Sequence, residues 1–189
     1  MLAPNHHPNL LHPDHTIVAV IDMQESLLCT LYNTESFQAN VRTLLKGINA
    51  LRLPVIGTTQ NADKLGPLAP AISALLPSLL PPFNKLTFSC YSSPSFESEI
   101  RRAGRKQVLL CGIEAHICVS QTALELAAAG FQVHVAVDAV SSRTEANWRL
   151  GLDKMRQSGI LHTSVEMALF ELLREADTPE FREILKIVK

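Results

Sequence analysis

The sequence predicts an α/β protein in which a central, mostly parallel sheet is covered by helices on both faces, forming a three-layer α/β/α sandwich. Short apolar segments typical of buried strands alternate along the chain with longer segments whose apolar residues recur at helical spacing. This alternation favours parallel strands joined by helical crossovers. The length of 189 residues suits one domain. We therefore expect a single domain over residues 11–189, preceded by an N-terminal arm, residues 1–10.

The individual elements follow from local composition. Short apolar runs predict buried strands over residues 16–22, 54–58, 108–111, 133–137 and 160–163. Apolar residues at helical spacing predict helices over residues 37–51, 95–103, 120–129, 148–158 and 165–175. Residues 66–82 are rich in proline and leucine, which predicts a long connection with one short helix. Residues 179–189 also have helical spacing, so they either cap the core of their own chain or dock on a neighbouring subunit.

Composition limits the classes of partner. Seventeen basic and 18 acidic residues give a net charge of −1, which does not favour binding to nucleic acid or to an anionic membrane. The four cysteines form no paired C-x-x-C motif, which suits a reducing compartment. The longest apolar runs are interrupted by charge or proline well short of a bilayer span. The first residues lack the order of a secretory signal, so we expect a cytoplasmic protein.

The segment 112–122 follows a predicted strand and opens a predicted helix, and it contains Cys118. At the start of a helix, unpaired backbone N–H groups and the positive end of the helix dipole favour a thiolate over a thiol. The same N–H groups could hold an oxyanion formed when the sulfur attacks a carbonyl. Cysteine is also a common buried apolar residue, so this position alone leaves a structural and a catalytic role open.

Two further side chains are candidate partners of Cys118 because of their positions in the chain. Asp22 ends the first predicted strand, and ligands of open parallel sheets lie beyond the carboxyl ends of the strands. Its carboxylate could accept the proton of Cys118 and later return it to a leaving amine, although an aspartate there is often a turn or cap residue. Lys85 would add a positive charge that favours a thiolate, although a lone lysine is usually a solvated surface residue.

Five segments occur in an order that resembles the isochorismatase-like cysteine hydrolases, a superfamily that includes nicotinamidases and N-carbamoylsarcosine amidohydrolases. These segments are residues 16–24, 84–89, 112–122, 137–143 and 166–173. The resemblance extends from about residue 11 to about residue 174, and it implies a Rossmann-like hydrolase fold. It assigns Cys118 as nucleophile, Asp22 as acid and base, and Lys85 as the electrostatic partner. It also implies a cis peptide bond between Ile113 and Glu114, with an oxyanion hole formed by the N–H groups of Glu114 and Cys118.

The resemblance does not extend to the metal site of nicotinamidases. Those enzymes carry an Asp-x-His motif and further histidines between the aspartate and the lysine, whereas no histidine lies between Asp22 and Lys85. We therefore expect no metal and no other cofactor. The histidines of the N-terminal region resemble a solvated tract more than a closed metal site; they are His6, His7, His12 and His15. The chain most resembles the metal-free, isochorismatase domain-containing or YcaC-related branch.

The pocket and the reaction are predicted in outline. The candidate substrate-binding residues are Gln24, Leu27, Phe88, Tyr91 and His116, of which Gln24 could instead fix Asp22. A nucleophilic cysteine argues against hydrolysis of an enol ether and favours cleavage of a small amide or related carbonyl compound through a thioester. The alternatives are a catalytically idle binding or assembly module and a thiol-based redox or ester-cleaving activity. We also expect a homo-oligomer, a dimer or larger.

Overall fold

A computed structural model describes residues 7–76 and 81–189. Within these residues, six parallel strands form one sheet in the order β3-β2-β1-β4-β5-β6. The strands are β1 Thr16–Ile21, β2 Val55–Gln60, β3 Phe83–Lys85, β4 Gln107–Ile113, β5 Gln132–Ser141 and β6 Leu161–Thr163. Helices lie on both faces, so the predicted three-layer α/β/α sandwich is confirmed.

The helices divide between two apolar cores, one on each face of the sheet. They are α1 Glu25–Leu28, α2 Thr34–Ala50, α3 Ala62–Leu65, α4 Pro70–Ser73, α5 Pro94–Arg102, α6 Ser120–Ala128, α7 Glu145–Gln157, α8 Val165–Leu173 and α9 Pro179–Val188. Because side chains alternate along a strand, β1 sends Val18 and Val20 to the core under α2, α8 and α9. It sends Ile17, Ala19 and Ile21 to the core under α5, α6 and α7.

Capping hydroxyls explain where several helices begin. The side chain of Thr144 accepts a hydrogen bond from the backbone of α7, Ser164 does the same for α8, and Thr178 for α9. Helix α9 packs on α2 of the same chain, with Ile184 fully buried, so this segment covers its own core. None of the helices in the described ranges combines the length and the apolar character needed to cross a membrane.

The boundaries differ from the sequence predictions in specific places. Strand β3 was not predicted, because its three residues contain no apolar run. Strand β5 continues to Ser141, four residues beyond the predicted end at residue 137. The connection predicted over residues 66–82 contains α4, and its residues 77–80 lie outside the described residues, as do residues 1–6 of the predicted arm. Leu11 is fully buried and its N–H donates to the Glu171 carboxylate, at 2.9 Å.

The strand order reverses between β1 and β4, and a reversal of this kind forms a crevice at the carboxyl ends of the strands. From β1 the chain builds β2 and β3 toward one edge, and then returns to build β4, β5 and β6 toward the other. Ligands of doubly wound sheets bind at such a reversal, outside the carboxyl ends of the strands. Near this end, Gly112 has a φ of 113°, and a side chain there would collide with the backbone of Ile21. Only glycine allows both the conformation and the close approach.

Candidate active site

Asp22 lies directly after β1 at this crevice and is almost fully buried. Its backbone adopts a left-handed conformation, with φ at 51°. The hydroxyl of Thr58 donates to carboxylate atom Oδ1 at 2.8 Å, and the ammonium of Lys85 donates to Oδ2 at 2.7 Å. Both partners are buried as well, so the aspartate and the lysine form an ion pair that is shielded from water.

Lys85 ends β3, and the parallel register places it beside Gln60 of β2. Its Nζ donates to Gln60 Oε1 at 2.7 Å and to the backbone oxygens of Thr87 and Phe88 at 3.2 and 3.1 Å. Burial lowers the pKa of this amine, but the neighbouring Cys90, Asp22 and Cys118 raise it by more, so the net pKa is above its ordinary value. Lys85 is therefore a permanent cation at neutral pH.

Cys118 lies in a π-helical turn, Ala115–Val119, that joins β4 to α6, and its residue retains 7% exposure. Burial raises the pKa of its thiol to about 12; Lys85 opposes this shift, whereas Asp22 and Cys90 add to it. The resting sulfur is therefore protonated, because burial and the nearby carboxylate outweigh the lysine. The structure does bring Asp22, Lys85 and Cys118 into one electrostatic cluster.

The turn that carries Cys118 is held by its neighbours. The Ile113–Glu114 peptide bond is cis, as the resemblance implies. The backbone oxygen of Glu114 accepts from the N–H groups of Ile117 and Val119 at 3.0 and 3.1 Å. The Glu114 carboxylate accepts from the backbone N–H and the Nε of Arg143 at 3.0 and 3.1 Å.

Helix α7 packs behind the same turn at Gly151. A side-chain carbon at this position would lie 2.8 Å from backbone atoms of Ala115 and His116. His116 itself, a predicted substrate-binding residue, has its Nδ1 3.0 Å from the hydroxyl of Ser142. Burial is the main cause that lowers the pKa of His116, so this imidazole is neutral at pH 7.

The other predicted pocket residues occupy different environments. Gln24 is fully buried, and its side-chain amide donates to the backbone oxygens of Gln60 and Gly66 at 3.1 and 2.6 Å and accepts from the Gln60 N–H at 2.8 Å. It therefore ties the chain after Asp22 to the end of β2. Leu27 is half-buried against the core under α2. Phe88 is 55% exposed on the loop that wraps the Lys85 ammonium.

Tyr91 lies away from this cluster. Its ring packs edge-on against Phe131, with the ring centres 6.2 Å apart, and its hydroxyl donates to the Glu97 carboxylate at 3.2 Å. Phe131 directly precedes the amino end of β5, whereas Asp22 follows the carboxyl end of β1. Since the strands are parallel, Tyr91 lies toward the opposite end of the sheet, and the structure does not bring it to the sulfur.

Sequence reasoning missed three polar residues of the cluster, namely Thr58, Gln60 and Cys90. Thr58 and Gln60 alternate along β2 and so share a face, a signal that was available once β2 was placed beside β1. Cys90 lies in a loop and carries no pattern. It is fully buried, its sulfur is 3.6 Å from the Thr58 hydroxyl, and burial raises its thiol pKa to about 11.

The described residues offer little for a metal ion. Across residues 7–76 and 81–189, no three His, Cys, Asp or Glu side chains are grouped in a way that could hold one. Of the N-terminal histidines in this range, His12 and His15 contact each other through their rings, whose centres are 4.9 Å apart. The functional groups gathered at the site are the thiol of Cys118, the carboxylate of Asp22 and the ammonium of Lys85.

The fold and the site together define the class as a three-layer α/β domain with a thiol, a carboxylate and an ammonium at the reversal of a doubly wound sheet. The isochorismatase domain family matches residues 16–167, which is most of the chain. The protein therefore belongs to the isochorismatase family, and this membership supports a hydrolase function.

Relatives with known names span nearly the whole chain. The secreted isochorismatase effector Isc1 of Phytophthora sojae is 38% identical over 183 residues, which cover 95% of this chain and 87% of the relative. Isochorismatase domain-containing protein 2 of Danio rerio is 35% identical over 174 residues, covering 92% of this chain and 86% of the relative.

Solved structures match over similar lengths. MAR1 ribonuclease of Caenorhabditis elegans has a TM-score of 0.88 at 32% identity, covering 95% of this chain and 92% of that one. The YcaC gene product of Escherichia coli, described as an octameric hydrolase of unknown specificity, has a TM-score of 0.89 at 24% identity. The latter alignment covers 96% of this chain and 92% of that one, and it extends the agreement in fold.

Proposed function

We propose that this protein is a cysteine-dependent hydrolase that cleaves a small amide or related carbonyl compound through a thioester at Cys118. The observation that carries the proposal is the buried ion pair between Asp22 and Lys85, at 2.7 Å, whose two charges act on the pKa of the Cys118 thiol. A structural core needs no such pair, because burying charges is unfavourable unless they are closely paired.

In the first half of the reaction, the Cys118 sulfur attacks the carbonyl carbon while its proton passes to the Asp22 carboxylate. The thiol pKa of about 12 means that the resting sulfur is protonated, so attack requires this transfer. The carbonyl oxygen becomes an oxyanion, for which the N–H groups of Glu114 and Cys118 are the proposed donors. Lys85 balances the charge of Asp22 before the transfer and its own contacts keep it in place throughout.

In the second half, the tetrahedral intermediate collapses and the carbon–nitrogen bond breaks. The proton held by Asp22 moves to the leaving nitrogen, which departs as ammonia or an amine and leaves an acyl group on sulfur. A water molecule then attacks the thioester and gives a proton to Asp22, which returns it to the sulfur as the acid is released. One water is consumed for each amide cleaved, and the carboxylate of Asp22 and the thiol of Cys118 are regenerated.

The charges of the site favour an uncharged substrate. In the described part of the chain, Lys85 is the cation that acts on the Cys118 thiol, and it is already paired with Asp22. Arg143 is paired with Glu114, and His116 is neutral. A phosphodiester, the substrate implied by the name of the ribonuclease relative, would bring negative charge toward Asp22 without a free cation to meet it.

Assembly and location are further parts of the proposal. We expect a homo-oligomer, and the YcaC relative is described as an octamer. We also retain a cytoplasmic location, although one relative is named as a secreted effector. Sedimentation velocity of the purified protein tests the first expectation, and fractionation of cells that express a tagged chain tests the second.

The test of the reaction is ammonia release from a panel of small amides, with a short RNA included as a competing substrate class. We expect release by the unaltered protein and at least a thousandfold loss in Cys118→Ala. The matched control is Cys29→Ser, which removes an exposed thiol and should leave the rate unchanged. Equal rates for the unaltered protein and Cys118→Ala, or cleavage of RNA alone, would refute the proposal.

Alkylation separates the remaining alternatives. In an idle binding module, iodoacetamide should modify Cys118 no faster than the other thiols near neutral pH. In a redox protein, peroxide should produce a sulfenate or disulfide at Cys118 and turnover should require a thiol reductant. The proposed hydrolase instead predicts rapid alkylation of Cys118 that falls in Asp22→Asn, because the carboxylate must take the proton.

A further inference from the structure

We propose that Thr58 is a positioning residue that orients the Asp22 carboxylate, and that Cys90 supports it by donating a hydrogen bond to the Thr58 hydroxyl. This inference rests on the proposed function of Asp22 as the acceptor of the Cys118 proton. It adds two residues to the mechanism and assigns to a second buried cysteine a role as hydrogen-bond donor.

The first step is the geometry around the carboxylate. Thr58 and Lys85 donate to different oxygens of Asp22, at 2.8 and 2.7 Å. Two donors on opposite oxygens fix the plane of a carboxylate, whereas one donor leaves it free to rotate. Thr58 is buried together with Asp22 and Lys85, so its hydroxyl does not compete with solvent for the carboxylate. The remaining lone pairs of Asp22 then keep one direction for receiving a proton from sulfur.

The second step is the direction of the hydroxyl. A threonine hydroxyl has one hydrogen, and the carboxylate paired with Lys85 can only accept. The Thr58 hydrogen therefore points to Asp22. The Cys90 sulfur, at 3.6 Å from the same oxygen, must then be the donor of the contact between Cys90 and Thr58. Burial, which raises the Cys90 thiol pKa to about 11, keeps the proton that this donation requires.

The third step links this chain of bonds to the nucleophile. The backbone N–H of Cys90 donates to the hydroxyl of Thr122 at 2.9 Å. Thr122 is fully buried in α6, the helix that continues from the turn bearing Cys118. The bonds therefore run from α6 through Cys90 and Thr58 to Asp22. They connect the acid on one half of the sheet with the helix that follows the sulfur on the other half.

The central experiment compares Thr58→Val with Thr58→Ser. Valine keeps the shape of threonine but removes the donor, whereas serine keeps the donor. We expect Thr58→Val to lower kcat on the best amide of the panel by about tenfold to a hundredfold with a nearly unchanged KM, and Thr58→Ser to recover most of the rate. The matched control is Thr59→Val, which removes a buried hydroxyl on the opposite face of the same strand.

A pH profile distinguishes positioning from a purely structural effect. The titratable groups that face Asp22 are Lys85, Cys118 and Cys90, and all three have raised pKa values. Loss of an orienting donor changes the interactions of the ionised groups, so the pH dependence of kcat/KM in Thr58→Val should differ from that of the unaltered protein. The profiles of Thr58→Ser and Thr59→Val should match that of the unaltered protein.

Alkylation of Cys118, followed by mass spectrometry, gives a readout that needs no substrate. If the unaltered protein cleaves none of the amides, the proposed function fails, while slower alkylation in Thr58→Val than in Thr58→Ser and Thr59→Val still supports the positioning role. If Thr58→Val does not fold, Cys90→Ala and Cys90→Ser provide the same comparison one bond further along. Equal rates and equal pH profiles within each pair of variants would overturn the inference.

Discussion

Replacing Lys85 by methionine should destabilise the protein more than replacing Asp22 by asparagine. In Lys85→Met, the buried carboxylate loses its charge partner and keeps two side-chain hydrogen-bond partners, Thr58 and Cys118. In Asp22→Asn, the Lys85 ammonium still donates hydrogen bonds to the oxygens of Gln60, Thr87 and Phe88. The asymmetry follows from the unequal number of partners that each charge retains.

The magnitudes follow from the burial of the pair, whose side chains are 0% and 1% exposed. Removing one partner of a buried ion pair costs about 3–5 kcal/mol, and we assign this range to Lys85→Met. Loss of one hydrogen bond to a charged group costs about 1.5–3 kcal/mol, which we assign to Asp22→Asn. The double variant removes both charges and should be more stable than the sum of the two single changes predicts, by about 2 kcal/mol or more.

Urea unfolding at pH 7 of the unaltered protein and the three variants measures these differences. A cost for Lys85→Met that is equal to or below that of Asp22→Asn would refute the reasoning, as would additive single changes. Either result would mean that the pair is reached by water or replaced by another partner.

Three further changes have defined outcomes. Gly151→Ala places a side-chain carbon against the backbone of Ala115 and His116. It should lower the free energy of unfolding by about 1–3 kcal/mol and slow the alkylation of Cys118. The control Leu150→Ala, on the exposed face of α7, should do neither. Burial lowers the pKa of His134 to about 4, below its value in the unfolded chain. The free energy of unfolding should therefore fall by about 3 kcal/mol between pH 7 and pH 4. Urea titrations of His134→Leu should lack this part of the pH dependence. Arg143→Ala breaks a half-exposed ion pair with Glu114 and should cost less than about 1 kcal/mol by thermal unfolding; a larger loss would show that the arginine has a packing role.

The sequence predicted the parts of the fold that local physics determines. The β1 and β4 strands are continuous apolar runs with no strong competing pattern, and α6 has helical spacing up to a glycine. The end of β5 was misjudged because Asp138, a residue that is uncommon in strands, lies inside it. Strand β3 exists through its pairing with β2, a contact that three residues of sequence do not encode.

The candidate site was predicted less evenly. Asp22, Lys85 and Cys118 were identified from their positions and from resemblance, and the structure brings them together. The protonation state of the sulfur depends on tertiary burial, which no local motif contains. The location of Tyr91 and the roles of Thr58 and Cys90 depend on tertiary contacts. Tyr91 packs on Phe131, and Cys90 contacts Thr58 and Thr122, and neither set of contacts follows from local sequence.

The crevice between β1 and β4 lies where the first half of the chain meets the second half. The acid and the cation come from the part that ends with β3, and the sulfur comes from the part that begins with β4. A fragment that stops before β4 would carry the carboxylate and the ammonium, and the complementary fragment would carry the thiol. The proposed amide cleavage therefore needs both fragments, and mixing them in solution would make ammonia release a measure of their reassociation.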